Sequence, residues 1–171
     1  MGKPVVILYT GSGKGKTTAS LGLALRSLGH NMKIAVIQFL KGMKNTGEVK
    51  AISNLPENIR IYQFGRMTFI EDEPPENDVK LSKEALEFAK KLVFEDKVDV
   101  LILDEINLAI SLGMIDERDV VEFLDSIDRD MIVVLTGRMA PRRLIERADI
   151  ATEMVELKYV MGGKPRRGIE I

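Results

Sequence analysis

The chain has 171 residues, 45% hydrophobic and 30% charged, with a formal net charge of −1. That is ordinary globular composition with room for one domain, 1–171, and hardly for two, and its charge gives no reason to expect a nucleic-acid or membrane-surface partner. There is no cysteine and a single histidine, His30, which excludes a disulfide framework, cysteine-bound zinc and thiol catalysis, and makes histidine acid–base chemistry a poor expectation.

No charged-then-apolar segment opens the sequence and no apolar run reaches membrane-spanning length, so a cytoplasmic protein is expected. Apolar runs of strand length alternate with helical patterns from the start. Residues 4–10, PVVILYT, predict the first strand, and KTTASLGLALRSLG after it predicts a helix with Leu21, Leu25 and Leu28 on one face and Gly29 as terminator. Further strands are expected at 33–40, 59–64, 98–104 and 131–137, and helices at 82–95, 116–127 and 141–148, with Pro141 suited to a first turn. The strand runs are nearly continuous in hydrophobicity, as strands covered on both faces are. The expectation is an α/β domain in three layers around a mainly parallel sheet. Residues 41–48 and 65–78 lack periodicity; the second carries an acidic cluster, two prolines and an isolated Phe69 and Ile70. Both predict long loops of the kind that carry function.

The chemistry begins at residues 9–18, YTGSGKGKTT, between the first strand and first helix. This is the context of a phosphate loop, though Thr10 stands where the G-x-x-x-x-G-K-[ST] pattern has glycine. Gly11, Gly13 and Gly15, with Ser12 and Lys14 between them, let backbone N–H groups close on phosphate oxygens, and the helix N-terminus at Lys16, Thr17 and Thr18 adds its dipole. Lys16 is expected to reach the β- or γ-phosphate and the Thr17 hydroxyl to bind Mg²⁺. Downstream, VLILDE (100–105) ends a core strand in Asp104 and Glu105, which predicts a magnesium ligand beside the loop. VVLTGR (133–138) brings Arg138 to the same edge, either as a phosphate clamp or as a surface ion-pair partner. The basic KPRRG stretch (164–168) is expected to be solvated. Candidates for a general base are few: Glu48, Glu105 and the acidic cluster at 71–78. A reaction in which the substrate brings its own nucleophile suits such a chain.

Taken in order, YTGSGKGKTTASLGLALRSLGH, VIQFLKG with Glu48, LILDEINLAI, VVLTGRMAPRRLIERAD with TEM, and GGKPRRGIEI resemble the ATP:corrinoid adenosyltransferases of the phosphate-loop type, over nearly the whole length. The resemblance implies a RecA-like P-loop NTPase fold and a homodimer. The implied reaction moves the 5′-deoxyadenosyl group of ATP to the cobalt of a reduced corrinoid, with triphosphate leaving and a separate reductase supplying Co(I). It implies a nucleotide lying reversed in its loop, which a displaced glycine suits. Carried over residue by residue, Gly11 to Thr18 bind the triphosphate and Lys16 and Thr17 act in catalysis. Thr17 with Asp104 or Glu105 serves Mg²⁺, Arg26, Glu48 and Arg138 border the nucleotide, and Phe69 is the nearest match to an aromatic residue facing the corrin. The rivals are a phosphoryl-transfer kinase or ATPase on the same scaffold and a non-catalytic nucleotide sensor.

Overall fold

A computed structural model of the protein describes residues 2–43, 46–66, 74–159 and 166–169. Six strands form one sheet: β1 Val5–Thr10, β2 Ile34–Phe39, β3 Ile59–Phe64, β4 Val100–Asp104, β5 Ile132–Thr136 and β6 Ile150–Glu153. Their spatial order is β3-β2-β4-β5-β1-β6, and every neighbouring pair is parallel. Parallel neighbours need crossovers, and α1 Lys16–Leu28, α2 Gly47–Ile52, α3 Glu76–Phe94, α4 Ile106–Ser111, α5 Glu117–Ser126 and α6 Arg142–Arg147 supply the helices.

The alternation of side chains along each strand divides the core in two. Ile7, Val36, Ile102 and Val134 pack with Ala24 of α1 and Ile52 of α2 on one face. Leu8, Ile37, Leu103 and Leu135 pack with α3, α4, α5 and α6 on the other. Both faces are covered, as the unbroken apolar runs predict, and the result is a three-layer α/β fold. Leu103 and Leu135 are wholly buried, so cutting either back to alanine costs about 2–5 kcal/mol. No helix among the described residues is long and apolar enough to cross a membrane.

Several local expectations are corrected. The buried face of α1 runs through Ser20, Ala24 and Ser27, while Leu25 is exposed. Small residues let this helix lie close on the sheet, and the leucines flank that contact. Gly29 does close α1, but in right-handed conformation; the left-handed turn falls on Asn31. α3 begins at Glu76, so the acidic stretch before it is partly the helix's first turn, where carboxylates face the positive end of the dipole. Helices α2 and α4 and strand β6 were not expected. The two helices have only six residues each, too few for a helical period to show, and β6 is a four-residue edge strand exposed throughout.

All carboxyl ends of a parallel sheet lie on one edge. Here that edge receives the phosphate loop from β1, Asp104 from β4 and Arg138 from beyond β5, with β5 lying between β1 and β4.

Candidate active site

The phosphate loop joins β1 to α1 and rests on the chain that follows β6. Gly13 N–H donates to the Met154 carbonyl (2.7 Å), and Met154 N–H donates to the Thr10 carbonyl (2.8 Å). Gly11 has φ 97°, and a side chain there would overlap the Met154 carbonyl, so glycine is required twice over. Thr10 replaces the first glycine of the common pattern with a side chain that has its own partner. Its hydroxyl accepts the Ala140 N–H at 3.2 Å, tying the phosphate loop to the loop that carries Arg138. Lys16 is buried, and its ammonium donates to the carbonyls of Gly11 (2.8 Å) and Gly13 (2.7 Å). Burial holds its pKa below the ordinary lysine value, helped by the charges of Arg138 and Lys41 and opposed by Glu105 and Asp104. Ser12, Lys14 and Thr18 are exposed around the loop, and Gly15 leads into α1. The Lys14 ammonium lies 5.1 Å from the centre of the Tyr159 ring.

A polar row crosses the sheet beside this loop. Gln38 is in register with Gln63 on one side and Asp104 on the other, all on the face that carries Val36, Ile61 and Ile102 two residues earlier. Gln63 donates to Gln38 (2.9 Å), and Gln38 donates to Asp104 (3.1 Å) and to Glu48 (3.3 Å). Asp104 is fully buried. One of its oxygens accepts the hydroxyls of Thr17 (2.8 Å) and Thr136 (2.7 Å), and the other accepts Gln38 and the Lys41 ammonium (2.7 Å). Burial works against its charge, but Lys41 and the two hydroxyls outweigh it and hold the carboxyl below the ordinary range. Glu105 differs. Burial and the neighbouring Asp104 push its pKa up, against the pull of Lys41 and Lys16. It sits at φ 67°, with its N–H donated to the Thr136 hydroxyl at 3.0 Å. Leu40 and Met139, beyond the ends of β2 and β5, also have positive φ. Three non-glycine residues in a sparsely populated conformation on one sheet edge mark where backbone strain is concentrated.

Lys41 is the residue that sequence reasoning missed. The left-handed turn at Leu40 brings it back over the sheet edge, where Gly42 and Gly65 pass so closely that a side chain on either would overlap the other loop. Its ammonium lies 3.2 Å from the Thr17 hydroxyl, 2.7 Å from Asp104 and 3.8 Å from Glu105. Burial disfavours its charge, and Asp104, Glu105 and Glu48 overcome that, raising its pKa. Gln38 and Thr136 were missed as well. The signal was a polar residue in an otherwise apolar strand at the sheet's carboxyl end. Asn107, fully buried, donates to the carbonyls of Tyr9 (3.4 Å) and Gly137 (3.3 Å) and so links the ends of β1 and β5.

The oxygens of Thr17, Asp104 and Glu105 form a hard donor set suited to Mg²⁺, and a cation, the Lys41 ammonium, already lies among them. Among the described residues no group of three or more acidic, histidine or cysteine side chains is placed to hold a metal. One hydroxyl and two carboxylates are fewer oxygens than Mg²⁺ takes, so a metal on this donor set would need substrate phosphates or water to complete its shell.

The remaining expected residues divide. Arg138 is exposed and lines a cavity of about 750 Å³ together with Thr10, Gly11, Ser12, Met139 and Glu153. Glu48 opens α2 and joins the polar row through Gln38. Arg26 is not brought to the loop: it is exposed in the last turn of α1, ten residues and roughly 15 Å along the axis from Lys16. Phe69 lies outside the described residues. The stretch that holds it is bracketed by a bidentate pair, in which Arg66 donates twice to the buried Asp78, each bond 2.7 Å.

A phosphate loop at the carboxyl edge of a parallel sheet, with a buried carboxylate bonded to its threonine, defines a nucleotide-binding protein of the P-loop class. Residues 2–171 match the family described as ATP:corrinoid adenosyltransferase BtuR/CobO/CobP. Corrinoid adenosyltransferases from a Sinorhizobium species, Pseudomonas aeruginosa and Escherichia coli K12 are 39%, 33% and 30% identical to the chain. These alignments cover 98%, 97% and 97% of this chain and 80%, 83% and 85% of theirs. Domain III of the Thermotoga maritima replication initiation protein DnaA superposes with a TM-score of 0.40 at 17% identity, over 88% of this chain and 54% of that one, too loosely to argue from. The chain belongs to the ATP:corrinoid adenosyltransferase family. It is a transferase that carries the adenosyl group of ATP to a corrinoid, and the kinase or ATPase reading is not favoured.

Proposed function

We propose that the chain acts as one catalytic domain in which the Co(I) of a reduced corrinoid attacks C5′ of ATP, the C5′–O5′ bond breaks, and inorganic triphosphate leaves. The observation that carries this reading is the concentration of charge-handling groups on the leaving-group side. Lys16, Lys41, Asp104 and the N-terminus of α1 surround the phosphate loop, while the one histidine, His30, is exposed beyond the far end of α1. A metal nucleophile needs no general base. It needs C5′ held in line with cobalt and charge on the departing triphosphate stabilised. Gly11 to Thr18 cradle the triphosphate through backbone N–H groups, Lys16 neutralises it, and Arg138 meets the nucleotide from the cavity side.

Mg²⁺, held by Thr17 and Asp104 with Glu105 alongside, would supply further neutralisation of the leaving group. The nucleotide lies reversed in its loop, as the family resemblance implies, and a loop serving a reversed triphosphate has no need of the standard glycine at Thr10. Glu48, which reaches the polar row through Gln38, borders the nucleotide, and Phe69 meets the corrin. The protein works in the cytoplasm as a homodimer, and a separate reductase supplies Co(I). Exposed Leu157, Val155 and Ile150, on and just beyond the edge strand β6, offer apolar surface to a second copy.

The test is to incubate protein, ATP, Mg²⁺ and chemically reduced cobalamin or cobinamide, follow the absorbance change on Co–C bond formation, and identify the released phosphate product. Triphosphate in step with adenosylcorrinoid supports the reading. ADP released without corrinoid supports an ATPase instead.

A further inference from the structure

Lys41 occupies a position that a divalent cation would also need. Its ammonium contacts the Thr17 hydroxyl at 3.2 Å and Asp104 at 2.7 Å, with Glu105 at 3.8 Å. The other partners of buried Asp104 are the neutral side chains of Thr17, Thr136 and Gln38. Among the described residues, Lys41 is therefore the only cation in hydrogen-bond contact with that carboxylate. Mg²⁺ binds oxygen at about 2.1 Å, so a cation drawing on both the Thr17 hydroxyl and the Asp104 oxygen that Lys41 holds would compete with the ammonium for the same two atoms.

The backbone of Lys41 is confined by the turn at Leu40 and the Gly42–Gly65 contact. The side chain is not: it has a four-carbon stem, is 31% exposed, and can withdraw without moving the main chain.

We propose that Lys41 is an exchangeable counter-ion, competing with the divalent cation for Thr17 and Asp104 and giving way when a triphosphate is present to receive its charge. The inference rests on the reading of Thr17, Asp104 and Glu105 as the magnesium ligands. It makes the protein a poor metal binder on its own and a good one with nucleotide. Metal and triphosphate then enter together, and a second positive group is handed to the leaving group.

The test uses Mn²⁺ as the probe, with binding to the full chain followed by electron paramagnetic resonance in the absence of nucleotide. Lys41→Met removes charge and donor; Lys41→Gln removes the charge but keeps a donor for Asp104, which protects the fold; Lys41→Arg keeps the charge. Both neutral variants should bind one Mn²⁺ at least about tenfold more tightly than the wild type, the least that removing a unit charge a few ångströms away implies. Their melting temperatures should rise with added Mg²⁺ alone, whereas the wild type and Lys41→Arg should show neither effect. A folded Lys41→Gln protein that binds Mn²⁺ no better than the wild type overturns the exchange. If Asp104→Asn still weakens Mn²⁺ binding in the presence of inorganic triphosphate, the ligand reading survives that failure. A gain in affinity that persists in the Lys41→Gln, Asp104→Asn double variant places the metal elsewhere and overturns both.

Discussion

Thr17, in the first turn of α1, donates its hydroxyl at 2.8 Å to Asp104, which ends β4 and lies 87 residues away in sequence. The two belong to strands and helices separated by β5, so the bond fixes the phosphate-loop helix against the carboxylate strand. Thr17→Val keeps the shape of the side chain and removes the bond. Asp104 then loses one of its hydroxyl donors, at about 1 kcal/mol of stability. The larger effect should be functional. With a metal ligand gone, kcat/KM for adenosyl transfer should fall about a hundredfold or more, and the Mg²⁺ concentration for half-maximal rate should rise. A magnesium titration of Co–C bond formation checks this; an unchanged magnesium requirement would take Thr17 out of the metal site.

Lys16 gives a second prediction. Among the described residues its ammonium donates to the Gly11 and Gly13 carbonyls of its own loop and joins no ion pair. Lys16→Ala should therefore leave the melting temperature close to that of the wild type while kcat/KM falls about a hundred- to a thousandfold, roughly 3–4 kcal/mol of transition-state stabilisation. Unchanged adenosylation by a folded Lys16→Ala protein would remove the loop from the mechanism.

Asp116 supplies a pH dependence away from the site. It caps α5, accepting the backbone N–H of Arg118 at 2.8 Å and pairing with the same residue's guanidinium. The side-chain pairing with Arg118, followed by its backbone N–H, lowers the carboxyl pKa from 3.8 to about 2. A depressed carboxylate stabilises the fold fully above its unfolded value and loses that contribution as pH falls toward its folded value. Asp116→Asn keeps the cap but not the charge. Its melting temperature should lie slightly below that of the wild type at pH 7, and the two should converge between about pH 4 and pH 2. A difference that stays constant across that window would show the carboxylate's charge to be irrelevant.

The strands and the phosphate loop could be read from sequence because each is a local pattern: an apolar run, or glycines ahead of a helix that opens on lysine and threonine. What stayed hidden depends on how distant segments meet. Lys41 lies within the VIQFLKG stretch of the resemblance, but nothing local assigns it a role; it matters because Leu40 turns left-handed and Gly42 and Gly65 let two loops cross. Gln38, Asp104 and Thr136 form a network only once the order of the strands is known, since β4 separates β2 from β5. Leu25 misled for a similar reason. Three leucines at helical spacing suggested a buried face, but the sheet accepts α1 through Ser20, Ala24 and Ser27. Met154 is beyond local inspection altogether, since only the placement of β6 beside β1 puts its carbonyl under Gly13.

The fourth prediction asks which bond of ATP breaks. Direct attack on C5′ cleaves C5′–O5′ and leaves the linkage between the β- and γ-phosphorus untouched. An analogue with a methylene or imido group at that linkage should still donate its adenosyl group. It should do so more slowly, because the charge of the leaving group and its contacts with Lys16 and the cation are altered. A kinase or ATPase working on the β–γ bond is blocked by the same substitution. The measurement incubates protein, Mg²⁺, chemically reduced corrinoid and analogue, and follows the absorbance of the new Co–C bond beside a parallel reaction with ATP. Analogue binding is confirmed separately by its effect on melting temperature. An enzyme that is active with ATP and binds the analogue, yet forms no adenosylcorrinoid from it, would count heavily against attack at C5′. Formation of adenosylcorrinoid with release of the intact triphosphate analogue would show that the loop of Gly11 to Thr18 holds a leaving group rather than a phosphoryl donor.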